Sequence, residues 1–148
     1  MPQSLANILI HVIWSTKERR PLITENVCAD LHGYMAGILK NLESPALIIN
    51  WVSDHIHVLC LLSKNLPACK LVEEVKKSSS KWMKTQGIPL FSWQSGYGVF
   101  SVSQSNVTAV LKYIEGQPEH HKKSDFKEEF RAFCKRHDAP IDERYVWD

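Results

Sequence analysis

Asp54-His55-Ile56-His57-Val58-Leu59 alternates within an apolar run, with Leu61 and Leu62 close behind. A strand repeats every two residues, so His55 and His57 share one face while Ile56 and Val58 face the other, toward a core. Just upstream, Ala46 to Trp51 reads as a strand, and Ser53-Asp54 as the turn that joins it to His55–Leu62. A turn this short makes the two strands an antiparallel hairpin. Two imidazoles side by side on a strand are either half of a metal site or two polar residues on a solvated sheet face. Asp54 can orient an imidazole, although in a regular strand it points to the opposite face.

Asn7 to Ser15 is a second alternating run, rich in β-branched residues and apolar on both faces, which predicts a central strand. His11 reads as a satisfied sheet-face residue in preference to a ligand. Lys17-Glu18-Arg19-Arg20 is a charged loop, either a solvated connection or a phosphate contact through Arg19 and Arg20. Thr24 can cap a helix running to about Leu42, with Val27, Leu31, Tyr34, Met35, Ile38 and Leu42 as its apolar stripe. Ser44-Pro45 stops it.

Beyond the hairpin, Pro67 suits the first turn of a second helix whose buried side is marked by Leu71, Val75, Ser78 and Trp82. Lys76, Lys77 and Lys81 lie on or beside its exposed side. They confer solubility, or with Ser78 to Ser80 they track a phosphate backbone. Phe91 to Val102 is aromatic and carries Gly96 and Gly98, which predicts a fourth strand with a bend or bulge at the glycines. Exposed, Trp93 and Tyr97 would stack on unpaired bases; buried, they would be core. After a polar linker from Ser103 to Asn106, Val107, Val110, Leu111 and Ile114 form the stripe of a third helix. A last helix, about Asp125 to His137, carries Phe126, Phe130, Phe133 and Cys134 on one side.

Strand, helix, strand, strand, helix, strand is the split β-α-β order of a ferredoxin-like α+β domain. It predicts an antiparallel sheet with helices on one face, the other face left free for a ligand. There are no internal repeats, and the 148 residues read as one domain. Its core runs over about 5–102, a tyrosine-bearing helix over about 105–120, and a C-terminal helix and tail over about 124–148.

Charge and composition are ordinary: 44% hydrophobic, 23% charged and a net charge of +2. Any nucleic-acid footprint must therefore be local. The four cysteines form no C-x-x-C pair, which fits reduced thiols in a cytosolic protein. No basic-then-apolar leader and no run of about 18 apolar residues is present, so neither a signal peptide nor a membrane span is expected.

In the third helix Tyr113 flanks the apolar stripe, and Gln117 sits one turn on, on nearly the same side. Pro118 disfavours helical geometry at Gln117, so the helix kinks or ends there. In His55-Ile56-His57 and in Tyr113 followed by Gln117, the chain resembles the single-tyrosine HUH transposases, which move small bacterial insertion sequences as single-stranded DNA. Trp93-Gln94-Ser95-Gly96-Tyr97 and Asp142-Glu143-Arg144-Tyr145-Val146-Trp147 also resemble members of that group. Pro118 directly after the glutamine departs from the family's pattern.

The resemblance implies a chemistry and a set of roles. Tyr113 would attack a phosphate, form a 5′-phosphotyrosine link and release a 3′-hydroxyl, to be rejoined by the reverse attack. His55, His57 and Gln117 would hold a divalent cation, Mg²⁺ or Mn²⁺ in use, that stabilises charge at the phosphate. The partner would be single-stranded DNA with hairpin ends, contacted by Arg19, Arg20, Lys76, Lys77, Lys81, Trp93, Tyr97, His120 and Lys122. The family joins two sheets at their fourth strands and docks the tyrosine helix on the partner. A homodimer with sites composed in trans, in a bacterial or archaeal cytoplasm at the nucleoid, is therefore expected. The alternative is a non-catalytic or domesticated single-stranded nucleic-acid-binding protein of the same fold.

Overall fold

The structure is a computed structural model and describes residues 2–121 and 124–148. Its elements are β1 (Ile8–Ser15), α1 (Glu25–Asn41), β2 (Ala46–Val52), β3 (His55–Leu62), α2 (Ala68–Thr85), β4 (Gly98–Val102), α3 (Val107–Glu115), α4 (Gln117–His121) and α5 (Phe126–Arg136). The strands form one antiparallel sheet in the order β2-β3-β1-β4, with β1 and β3 central. This is the split β-α-β arrangement expected from the sequence.

Register decides what shares a face. His57 pairs with Ile13 of β1 and Asn50 of β2, and His55 pairs with Ser15 and Val52. His11 pairs with Leu59 and with Phe100. His11, His55, His57, Ile13 and Phe100 therefore stand on one side. Ile10, Val12, Trp14, Ile56, Val58 and Cys60 stand on the other, where they meet the buried stripes of α1 (Val27, Leu31, Met35, Leu39) and α2 (Leu71, Val72, Val75, Met83). The buried face of α2 lies about one residue out of phase with the expected one: Ser79 and Met83 are inside, where Ser78 and Trp82 were expected. Trp82 instead stacks on Tyr34 of α1, ring centroids 5.1 Å apart.

The face expected to be free is covered. Phe126, Phe130, Phe133 and Cys134 of α5 pack with Ile13 and Phe100 into a second core, and Tyr113 lies against it. The α5 stripe carries three phenylalanines and Cys134 and needs a face of its own to bury it. Asp125 starts that helix, its carboxylate accepting from the Glu128 N–H at 2.8 Å.

The fourth strand is shorter than Phe91–Val102, since the ladder begins only at Gly98. Upstream, the Gln94 side chain accepts from the Ser15 N–H at 2.7 Å, and Gly96 donates to the Asp148 carbonyl at 2.8 Å. Trp93 makes one isolated bridge to Thr16. Gly98 is required for a close approach: a Cβ there would lie 2.9 Å from the rings of Phe100 and Phe130. It is the point where α5 comes down onto the sheet.

Candidate active site

β3 begins at His55 directly after the tight turn, so both histidines are set at the rigid end of a central strand. Expected on an open face, both are buried, His55 at 1% and His57 at 0% exposure. They survive there because each ring nitrogen has a partner. His55 Nδ1 meets Asp54 Oδ1 at 2.8 Å. Asp54 belongs to the turn, so strand alternation does not hold it to the opposite face, and it orients His55 after all. His57 Nδ1 meets His11 Nε2 at 2.8 Å. His11 is thus neither a ligand nor idle: it fixes the ring of His57.

With both Nδ1 atoms engaged, both Nε2 atoms turn the same way, and a residue the sequence reading missed lies between them. Glu129 of α5 is 5% exposed, and its Oε1 lies 2.8 Å from His57 Nε2 and 3.3 Å from His55 Nε2. Its Oε2 accepts from the Gln117 side-chain amide at 3.0 Å and from the Tyr113 hydroxyl. Gln117 Oε1 closes the ring at 3.3 Å from His55 Nε2. One carboxylate therefore touches both histidines, the glutamine and the tyrosine. The signal was present in the sequence: Glu129 is three residues after Phe126 and four before Phe133, a charge inside an apolar stripe.

Tyr113 and Gln117 reach the site as a pair, by a route that resolves the Pro118 question. α3 ends at Gly116, whose N–H bonds the Lys112 carbonyl at 3.1 Å, and a new helix starts at Gln117. Pro118 falls in the first turn of α4, where a missing N–H costs nothing. Asn50 of β2 donates to the Ile114 carbonyl at 2.8 Å and so pins the end of α3 to the sheet of its own chain. Within this chain the tyrosine helix therefore lies at its own His55 and His57.

The electrostatics follow from burial and from the shared carboxylate. Burial alone would depress the His55 pKa, but the hydrogen bonds to Asp54 and Glu129 outweigh it and raise it to about 9. His57, fully enclosed, is lowered, and burial takes His11 down to about 3. Burial works against the Glu129 carboxylate, yet hydrogen bonds from His55 and His57 hold it well below the usual range. Tyr113 is raised, by burial and then by its bond to Glu129, and stays a phenol. The resting site is an imidazolium–carboxylate pair, with a neutral His57 donating Nε2–H to Glu129 and accepting at Nδ1 from His11.

The donor set suits a divalent cation. One nitrogen from each of His55 and His57 and one oxygen of Glu129 all lie within 4.8 Å of one another. Second partners hold both imidazoles by Nδ1, the arrangement that supports Nε2 ligation. Gln117 Oε1 borders the same space. Gln117 was expected to complete the set; the residue nearest both Nε2 atoms is the carboxylate.

The nucleic-acid candidates lie elsewhere, and two are corrected. Trp93 is 7% exposed, packs edge-on against Trp14 and Phe91, and donates its indole N–H to Ser79 at 2.9 Å. It is core, not a stacking platform. Lys76 is not a free surface cation. Its ammonium donates to the carbonyls of Gln94 at 2.8 Å and Gly96 at 2.7 Å and sits over the Tyr97 ring, and burial lowers its pKa to about 8. It ties α2 to the loop before β4. Tyr97 keeps 39% of its surface exposed, and Lys77 and Lys81 are exposed on α2, across the sheet from the histidines. Arg19 closes a short helical turn, and Arg20, exposed, pairs with Glu18 at 2.9 Å. Lys122 and the side chain of His120 lie outside the described residues.

Fold and site together define a ferredoxin-like α+β domain with a metal-capable His-His-Glu cluster beside a tyrosine. Residues 4–117 match the family described as "Transposase IS200 like", and the chain belongs to that family. Among solved structures it is similar to a candidate transposase of Deinococcus radiodurans R1 (TM-score 0.64, 21% identity, covering 79% of this chain and 98% of that one). It is also similar to a REP-associated tyrosine transposase bound to a REP hairpin (TM-score 0.63, 13% identity, covering 82% of this chain and 72% of that one). No curated protein matches. The family match ends at Gln117, so α5 and Glu129 lie beyond it.

Proposed function

We propose that this protein cleaves and rejoins single-stranded DNA at insertion-sequence ends through a covalent bond between Tyr113 and a 5′-phosphate. The observation that carries the reading is the convergence of Tyr113, Gln117, His55 and His57 on the single carboxylate of Glu129. Tyr113 Oη would bond to phosphorus as the P–O3′ bond breaks, leaving a 3′-hydroxyl. Glu129 Oε2 already receives the phenol hydrogen and is the nearest acceptor for its proton. His55, His57 and Glu129, with Gln117 beside them, would hold a divalent cation, Mg²⁺ or Mn²⁺. When bound, the cation would supply charge stabilisation at the phosphate and the leaving oxygen. Three chemically different ligands around an oxygen-rich substrate suit such ions, and the carboxylate offsets part of the cation's charge.

The substrate we propose is single-stranded DNA bearing hairpins, met by Tyr97 and the exposed lysines Lys77 and Lys81. β4 is an open sheet edge, and a homodimer joined there is part of the reading. The Asn50 bond to α3 supports a tyrosine acting in cis within each chain. Mixing His57→Ala and Tyr113→Phe chains separates cis from trans, because only trans assembly restores cleavage.

The test of the chemistry is a denaturing gel. Labelled single strands covering both flanks of the gene, incubated with Mn²⁺ or Mg²⁺, should yield a protein–DNA adduct that Tyr113→Phe abolishes. No adduct from either strand at either flank would refute the reading.

A further inference from the structure

Beside Tyr113, on the side of α3 that faces α5, lies a pocket of about 190 Å³. Its walls include Ala109, Val110 and Tyr113 of α3, Phe133 and Arg136 of α5, and His11 from the sheet. Arg136 is the one arginine or lysine in that lining, which holds no carboxylate. Three other arginines are neutralised by neighbours: Arg20 by Glu18, Arg131 by Glu143 and Arg144 by Asp142. Arg136 has no carboxylate within ion-pair distance among the described residues. Its guanidinium lies over the Phe133 ring, 5.5 Å from the centroid, which keeps the planar fork at the pocket.

An unpaired guanidinium fixed at the wall of a pocket shared with a tyrosine calls for an anion, and a flat two-pronged donor suits the paired oxygens of a phosphate. The apolar walls, Ala109, Val110 and Phe133, suit the sugar or base attached to it. We propose that this pocket is a nucleotide subsite in which Arg136 holds a phosphodiester of the substrate strand at or next to the phosphate that Tyr113 attacks. The inference rests on the reading of Tyr113 as nucleophile. Arg136 acts on the position of the strand, and lies beyond the segment that matches the family.

The probe is thymidine 3′,5′-bisphosphate, titrated without metal and followed through the Arg136 Nε–H NMR signal and by calorimetry. Saturable movement of that signal is expected, with binding weakened about tenfold or more in Arg136→Ala, since a charge-assisted hydrogen-bond pair is lost. Arg144→Ala, whose guanidinium is already paired, should bind as wild type. Arg136→Lys keeps the charge and loses the fork, so it should fall between. Arg136 is exposed at the last turn of its helix, so melting curves of these variants should overlay the wild type. Equal bisphosphate affinity in Arg136→Ala, or shifts confined to residues away from α3 and α5, would overturn the proposal. In the adduct assay at saturating protein, Arg136→Ala should slow adduct formation about tenfold or more. An unchanged rate would also overturn it, while leaving the transposase reading standing. Bisphosphate binding at Arg136 with no adduct from the wild type would keep the anion site and remove the transposase reading.

Discussion

Raising the pH should destabilise the metal-free protein well below the range where most of its lysines titrate, because His55 is held as an imidazolium. Its folded-state pKa of about 9 lies above the ordinary 6.5. The stabilisation is therefore complete below 6.5 and disappears as the pH rises through 9. The full shift is worth about 3 kcal/mol at about 1.4 kcal/mol per unit, for a group only 1% exposed. Lys76, with a pKa lowered to about 8, works in the opposite sense between 8 and its ordinary 10.5, and His11 and His57, both lowered, work in the opposite sense around 6.5, so the fall due to His55 is read from pH 6.5 to 8 with the two histidines set against it. There His55 alone loses about 1.5 kcal/mol and the two lowered histidines return about 0.4 kcal/mol each, a net loss of about 0.8 kcal/mol. Urea melts in EDTA, read by circular dichroism, should move their midpoint down by about 0.4 M at a slope of about 2 kcal/mol/M. Glu129→Gln removes one of the two carboxylates that hold the proton and should reduce the slope, and Asp54→Asn with Glu129→Gln should flatten it. Saturating Mn²⁺ competes with the proton for His55 Nε2 and should reverse the trend. A wild-type midpoint that is flat from pH 6.5 to 8, or a double variant with an undiminished slope, would refute the imidazolium–carboxylate pair.

Further outcomes follow from the same geometry. Tyr113→Phe should lose the DNA adduct and shift stability by no more than about 1 kcal/mol, since it removes one hydrogen bond from a half-buried residue; gels and melts on one preparation check both. His11→Phe leaves His57 Nδ1 without its partner and should weaken Mn²⁺ binding by about 10–100-fold in calorimetry. Gly98→Ala should destabilise by about 1–3 kcal/mol, because the added Cβ meets the Phe100 and Phe130 rings at 2.9 Å; thermal melts read the loss. Trp93→Ala should cost about 3–5 kcal/mol of stability, whereas Tyr97→Ala should weaken single-strand binding in fluorescence anisotropy with little change in the melt.

Local pattern made the sheet legible. Alternation in Asn7–Ser15 and His55–Leu62 and the two-residue turn at Ser53-Asp54 gave the hairpin, and His-x-His on a strand gave the paired imidazoles. What the pattern left open was the environment of that face. His55 and His57 read as half of a metal site or as residues in water, and the two settings have the same period. Only a partner for the apolar stripe of α5 decides between them. Phe126, Phe130 and Phe133 needed a surface, and the one surface left was the face carrying the histidines. Trp93 and Lys76 were misplaced for a related reason. An aromatic loop and a lysine-rich helix look like a DNA-binding pair, but Trp93 fills the core under α2 while Lys76 caps the carbonyls of Gln94 and Gly96.

Glu129 shows how the site could have been completed from the same stripe. A carboxylate at a core position of an amphipathic helix costs several kcal/mol unless it is paired, so its position in the sequence is a demand for cationic or hydrogen-bonding partners. His55 and His57, which lie on the one face available to α5, meet that demand, with Gln117 and Tyr113 beside them. The demand runs both ways. Two imidazoles buried on a strand end need something to accept their Nε2 hydrogens, and without a cation only a carboxylate does so for both at once. The second core of this domain is therefore not packing that happens to enclose a site. The phenylalanines of α5 bring one acid to the histidines, and that acid holds the tyrosine.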